Sequence, residues 1–150
     1  MSDWRPHVTV AVVAVDTDGR LLLVEEHVDG RRVLNQPAGH LEDRESLVDA
    51  AIREAREETG WRVEPEAIIG LYRWRHPNSA ETFLRTAFYA HAVERIPDAE
   101  LDAEIEAVRW LTREELKAAR PRWRSPLVGR VIADLDAGAR YPLAVLQDLP

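Results

Sequence analysis

Glu54, Glu57 and Glu58 sit at i, i+3 and i+4 in a segment, Glu45 to Gly60, whose apolar residues recur with a helical period. At about 100° per residue these three carboxylates fall within roughly a 100° arc, beside the apolar stripe. Like charges at such spacings repel, and helix stability alone would alternate them with bases. A hard dication such as Mg²⁺ turns the repulsion into binding, because it takes oxygen ligands at short fixed distances. The three lie in the C-terminal half of the helix, the negative end of its macrodipole, which favours a cation further. Taken alone, the cluster is also what a solvated acidic face looks like.

The elements that must position this cluster can be read from the same sequence. Leu47, Val48, Ala51, Ile52 and Ala55 make one apolar helical stripe, with a capping box from Ser46 to Asp49 and Gly60 suited to the left-handed C′ position. Before it, His7–Val15 and Arg20–Glu26 read as a hairpin across the turn Asp16-Thr17-Asp18-Gly19, and Val33–Gln36 runs into Pro37-Ala38-Gly39. After it, Ile68–Trp74, Thr82–Val93 and Ala107–Leu111 read as strands. Thr112–Glu115 opens a short capped helix, and Ser125-Pro126 starts a last helix that ends before Gly138. This order predicts a single domain of mixed α/β (α+β) class over residues 1–150.

From Gly39 to Trp61 the chain reads Gly-x5-Glu-x7-Arg-Glu-Ala-x-Glu-Glu-x-Gly-Trp. This resembles the box of the Nudix hydrolases at all seven fixed positions: Gly39, Glu45, Arg53, Glu54, Glu57, Glu58 and Gly60. A chance match is on the order of 10⁻⁵ for a whole chain, given ordinary residue frequencies. The resemblance implies a mixed β-sheet sandwiched between helices, with the box forming loop, helix and loop. It implies that Glu54, Glu57 and Glu58, with the Gly39 carbonyl, hold Mg²⁺ (Mn²⁺ as a substitute), and that Glu45 and Arg53 brace loop against helix. The implied reaction is water attack on phosphorus in a phosphate anhydride, with Glu54 as first choice of base and Glu104 as second; Glu106 is a weaker choice.

Flanking segments narrow the substrate. Pro6-His7-Val-Thr-Val, Asn35–Glu42, Arg124-Ser-Pro-Leu127 and Arg140-Tyr-Pro-Leu143 are similar to a phosphatase branch of that family. This branch releases orthophosphate from nucleoside tri- and diphosphates, thiamine pyrophosphate or its hydroxymethylpyrimidine pyrophosphate precursor. Leu34 departs from it, where relatives carry Trp. Gln36, His40, Trp74, Arg124 and Arg140 are the expected substrate residues, with Arg5 and His7 behind them; Trp4, Trp61, Trp110 and Trp123 are expected to pack. The rival readings are a pyrophosphatase of ADP-ribose or other nucleoside diphosphate sugars, suggested by Pro77, and a non-catalytic nucleotide-binding domain.

Composition bounds the rest. Lys plus Arg number 20 against 27 Asp plus Glu, a formal charge of −7, which gives no general attraction to nucleic acid or anionic membrane. The chain has no cysteine, which excludes disulfides and thiolate chemistry. The opening Met1-Ser2-Asp3-Trp4 carries no basic-then-apolar pattern, so no secretory signal is expected. A cytoplasmic enzyme acting on small phosphorylated molecules is the expectation, monomeric, with a dimer as the alternative.

Overall fold

The computed structural model describes residues 3–150; Met1 and Ser2, part of the opening tetrapeptide discussed above, lie outside them. Seven strands form one mixed sheet: β1 His7–Val15, β2 Leu21–Val28, β3 Arg31–Asn35, β4 Ala38–His40, β5 Trp61–Arg75, β6 Thr82–Arg95 and β7 Ile105–Leu111. Its main path runs β3-β2-β1-β6-β5, with β4 added to β1 and β7 to β2. The β1–β6 pair is parallel, His7 facing Phe83 through to Val15 facing His91, and the other pairs are antiparallel.

β1 is buried on both sides, so its near-continuous run of β-branched residues serves two cores. Val10, Val12, Ala14, Phe88 and Ala90 pack against α1, Leu47–Thr59, through Ala50, Ala51 and Ala55. Val13, Ala87 and Ile69 face the other way, onto α3, Leu127–Asp136, and onto Leu116 of α2, Arg113–Ala118. The result is the mixed sheet between helices that the sequence predicts.

Local signals account for most boundaries. Ser46 Oγ accepts from Asp49 N–H (3.0 Å), and Gly60 adopts φ 75° with its N–H on Arg56 O (2.9 Å). Thr112 and Glu115 form a full capping box at α2. Pro126 proves to be the residue before the last helix, one position earlier than expected, with Ser125 Oγ accepting from Leu127 N–H. β5 starts seven residues ahead of the expected Ile68, directly after Gly60. Pro65 disguises it: the proline sits in a strand whose register slips between Pro65 and Ala67, where a bulge tolerates the missing donor.

One irregularity matters for function. β1 pairs with β2 only at Val15–Leu21, while its first half pairs instead with the three residues of β4. The sheet therefore splays between β1 and β2. Groups from the α1 layer and groups from the α3 layer come within reach of each other through that opening.

Candidate active site

The apolar face of α1 fixes where its acidic face points. Glu54 and Glu58 turn inward and are buried, and Glu57 is half-buried. β4 runs antiparallel to β1, Gly39 opposite Val10, and brings the Gly39 backbone flat against Glu54. A Cβ at position 39 would overlap the Glu54 carboxylate, so glycine is required by close approach rather than by φ.

Arg53 ties these parts together. Its Nε and Nη2 hold Glu45 in a two-pronged pair (2.9 and 2.7 Å), and Nη2 also donates to the His40 carbonyl (2.9 Å). Its Nη1 donates to Glu54 Oε1 (2.8 Å) and Glu57 Oε2 (3.1 Å). A guanidinium has five N–H donors, and all five are spent here. Glu45 in turn accepts from Glu42 N–H, and Arg53 holds its carboxyl below the usual range. The loop before α1 is thus fastened to the helix, and two carboxylates of the cluster are held in place.

Oxygen atoms of Glu54, Glu57 and Asp102 lie within 4.8 Å of one another. Ligands on an octahedral Mg²⁺ at about 2.1 Å lie roughly 3.0–4.2 Å apart, a spacing these side chains reach by small rotamer shifts. A hard, all-oxygen donor set of three carboxylates fits a divalent cation of that kind. Asp102 had no expected role; its backbone N–H donates to Glu57 O (2.9 Å), which anchors the 98–104 loop on α1. Glu58 stands apart from this trio, accepting from Ala38 N–H (2.8 Å). Burial chiefly, with Glu26, Glu54 and Asp102 nearby, pushes its carboxyl up to about 9 against the pull of Ala38. Burial also raises Glu54 and Asp102, Glu54 in spite of Arg53. This excess of crowded negative charge is what a cation relieves.

The remaining expected residues divide. His40 is exposed beside the cluster, its ring nitrogen 2.9 Å from that of His7, and burial of the ring lowers its pKa, with His7 and Arg124 adding to the effect. His7 stacks on Phe83 (4.7 Å), and Phe83 meets Trp74 (5.9 Å). Trp74 and Arg124 line a cleft of about 660 Å³ between the end of β5 and α3. Arg124 also pairs with Glu26 across the splayed strands. Glu104 is exposed at the rim, its charge raising both Asp102 and Glu26.

Others lie elsewhere. Gln36 is buried, its amide donating to Val128 O at the start of α3 (2.8 Å). Arg140 stacks on Tyr89 (4.8 Å), six residues along β6 from Phe83 beside Trp74, or about 20 Å at strand rise. Glu106 pairs with His27 and Arg32 on the far side of β2, and Arg5 is exposed. Trp61 and Trp110 pack edge to face in the α1 core and Trp123 packs by α3, but Trp4 is 60% exposed and belongs to neither core. Leu34 is fully buried against Trp123. Arg85 was overlooked altogether: it is a buried guanidinium on β6, at an inward position of a strand, where a charge is rare enough to signal.

Comparison with known proteins bears on the family and the fold. A model of the NUDIX domain matches residues 5–131. The chain is 42% identical over 145 residues to phosphatase NudJ of Escherichia coli K12, covering 97% of this chain and 93% of that protein. A NUDIX hydrolase structure from Nitrosomonas europaea superposes with a TM-score of 0.93 at 43% identity, covering 97% and 98% of the two chains. The MutT protein of Methanosarcina mazei Go1 shares the fold at 17% identity, with a TM-score of 0.74 over 93% of this chain and 100% of that one.

Proposed function

This chain belongs to the NUDIX domain family and is a hydrolase of phosphoric anhydrides, and from that premise we propose that it is a phosphatase, releasing orthophosphate from small organic di- and triphosphates. The substrate class comprises nucleoside di- and triphosphates, thiamine pyrophosphate and hydroxymethylpyrimidine pyrophosphate. The observation that carries the reading is the convergence of Glu54, Glu57 and Asp102 oxygens, with Glu54 against the Gly39 backbone and Arg53 holding Glu54 and Glu57.

In this reading Glu54, Glu57 and Asp102, with the Gly39 carbonyl and Glu58, hold a divalent cation, Mg²⁺ with Mn²⁺ as substitute. The cation would neutralise non-bridging phosphate oxygens and acidify the attacking water. Arg53 acts as a positioning residue: Glu45 and the His40 carbonyl hold one edge of its guanidinium, so the other edge fixes Glu54 and Glu57 without rotamer freedom. Glu54, buried and with a raised pKa, takes the proton from the water as its oxygen bonds to phosphorus; the bridging P–O bond breaks and the shorter phosphate ester leaves. Glu104 at the rim is the second choice of base. From the cleft Trp74 offers a ring face to the organic moiety and Arg124 offers N–H groups to phosphate oxygens, and His40, beside His7 and next to Gly39, would offer a ring N–H. Gln36 contributes by fixing the start of α3, and Arg140 by closing the far end of the sheet face.

We read the chain as one NUDIX domain, since a single sheet carries both cores, and as a cytoplasmic enzyme, monomeric or dimeric. Among the described residues no helix is long and apolar enough to cross a membrane. Phosphorus NMR of products from ADP, thiamine pyrophosphate and ADP-ribose with Mg²⁺ tests the reading. Orthophosphate from the first two supports it; AMP plus ribose phosphate from ADP-ribose, with neither diphosphate consumed, would sink it.

A further inference from the structure

The α3-facing surface of the sheet carries a second set of chemistry-bearing groups beside the carboxylate cluster. Cα pairing runs His40–Thr9–Arg85–Tyr72 across β4, β1, β6 and β5. One step toward the open end, the row is His7–Phe83–Trp74, three aromatic rings in contact. One step inward, the row is Ala38–Ala11–Ala87–Gly70, all small. Ala87 and Tyr89 pack on the α3 side, so Arg85, two and four residues before them in an unbroken register, faces the same way.

Arg85 keeps 8% of its surface, yet its Nε and Nη1 have no hydrogen-bond partner, and neighbouring Thr9 Oγ1 has none either. Among the described residues no carboxylate lies within 4.0 Å of this guanidinium. The acids whose charge it feels are otherwise engaged: Glu26 with Arg124, Glu58 with Ala38 N–H. Burial and nearby Arg124 lower its pKa to about 10, the direction expected of a cation short of an anion. Buried donors without acceptors are costly to maintain. Arg85 lies on β6, the strand beside β1, within electrostatic reach of Arg124, Glu26 and Glu58.

We propose that Arg85 is a specificity-determining residue that binds the terminal phosphate of the substrate through its unpartnered guanidinium N–H groups. The inference rests on the phosphatase reading above and deepens it. A terminal phosphate has three non-bridging oxygens; with one turned to the carboxylate cluster, two are left for a two-pronged guanidinium pair. The inner phosphates of a nucleoside diphosphate sugar have two each, so the same fork finds only one. Arg85 thereby selects substrates that end in a phosphate monoester and so yield orthophosphate. Arg124, half-exposed on the cleft wall, supplies a second cation for the next phosphate.

The test uses the Mg²⁺-loaded enzyme and imidodiphosphate, a hydrolysis-resistant diphosphate, with affinity measured by calorimetry and the thermal midpoint recorded for each variant. Arg85→Met should weaken imidodiphosphate roughly 30-fold and Arg85→Lys, which keeps the charge but not the fork, roughly tenfold. The thermal midpoint of Arg85→Met should not fall, since no intramolecular bond is lost. For ADP the loss should appear mainly in KM, and the preference for ADP over ADP-ribose should shrink with it. Should Arg85→Met not fold, Arg85→Lys carries the test. Affinity within threefold of wild type in the variants, or a lowered midpoint of Arg85→Met with affinity unchanged, overturns the proposal and leaves Arg85 as charge balance for Glu26 and Glu58. Wild-type enzyme that fails to bind imidodiphosphate overturns it as well. Arg85-dependent binding by a protein that hydrolyses no anhydride would instead sink the phosphatase reading while the anion site stands.

Discussion

Replacing Glu58 by Gln should stabilise the metal-free protein above neutral pH, although it removes a residue proposed to hold the cation. Glu58 keeps 5% of its surface, and burial lifts its carboxyl from 4.5 to about 9. Between these values the folded protein holds a proton that the unfolded chain has released. The contribution to stability is therefore fully present below the lower value and is lost as pH rises toward the upper one. The slope is at most about 1.4 kcal/mol per pH unit. Between about pH 5.5 and about pH 7.5 wild type should lose up to roughly 2.7 kcal/mol relative to Glu58→Gln. The glutamine cannot ionise, and its Oε1 can still accept from Ala38 N–H. At roughly 2–4 °C per kcal/mol for a chain of this size, the difference in thermal midpoint should widen by about 5–10 °C. His40, its pKa lowered mainly by burial of the ring, contributes with the opposite sign, but it is common to both proteins and cancels. Thermal unfolding of both proteins in EDTA at the two pH values is the assay. Saturating Mg²⁺ should flatten the wild-type dependence, because cation and proton compete. A difference that does not change with pH, or a variant less stable at the higher pH, would falsify the burial argument.

Arg53→Lys replaces five donors with three and abandons the two-pronged hold on Glu45, so denaturant unfolding should show a loss of about 3 kcal/mol, with turnover down at least roughly tenfold. Unchanged stability would mean that Arg53 does not fasten loop to helix. Gly39→Ala drives a methyl into the Glu54 carboxylate; Mn²⁺ affinity measured by electron paramagnetic resonance should fall on the order of tenfold while circular dichroism stays native. Wild-type affinity would show that Glu54 is not held where the site needs it. Asp102→Asn should weaken Mn²⁺ by roughly 10–100-fold with little change in thermal midpoint; equal affinity would remove Asp102 from the ligand set.

What the sequence disclosed follows from how local each signal is. The α1 cluster was legible because Glu54, Glu57 and Glu58 share one helix, whose period sets their bearing, and because the fixed spacing from Gly39 to Gly60 separates them from a solvated acidic face. Asp102 was not, since it joins them from a loop more than forty residues later, through a backbone bond to Glu57 O. Gln36 and Arg140 belong to motifs that say which residues occur together but not which way they turn; one is drawn onto Val128 O, the other onto the Tyr89 ring. Arg85 could have been found by parity, as Ala87 and Tyr89 share its face of a strand. The splay between β1 and β2, which lets Arg124 reach Glu26, depends on β4 replacing β2 beside β1 and has no local signature. Trp4 shows the converse, an aromatic residue left exposed near the chain start, where hydrophobicity alone suggests packing.

The central claim is that the Glu54–Glu57–Asp102 cluster supports metal-dependent cleavage of a terminal phosphate. Orthophosphate release from ADP, followed as Mg²⁺ is titrated into EDTA-treated enzyme, tests it most directly. The account predicts a rate that is negligible without metal, saturates with Mg²⁺, and yields orthophosphate and AMP in equal amounts. A rate independent of divalent cation, or no release from any diphosphate at saturating Mg²⁺, would contradict it.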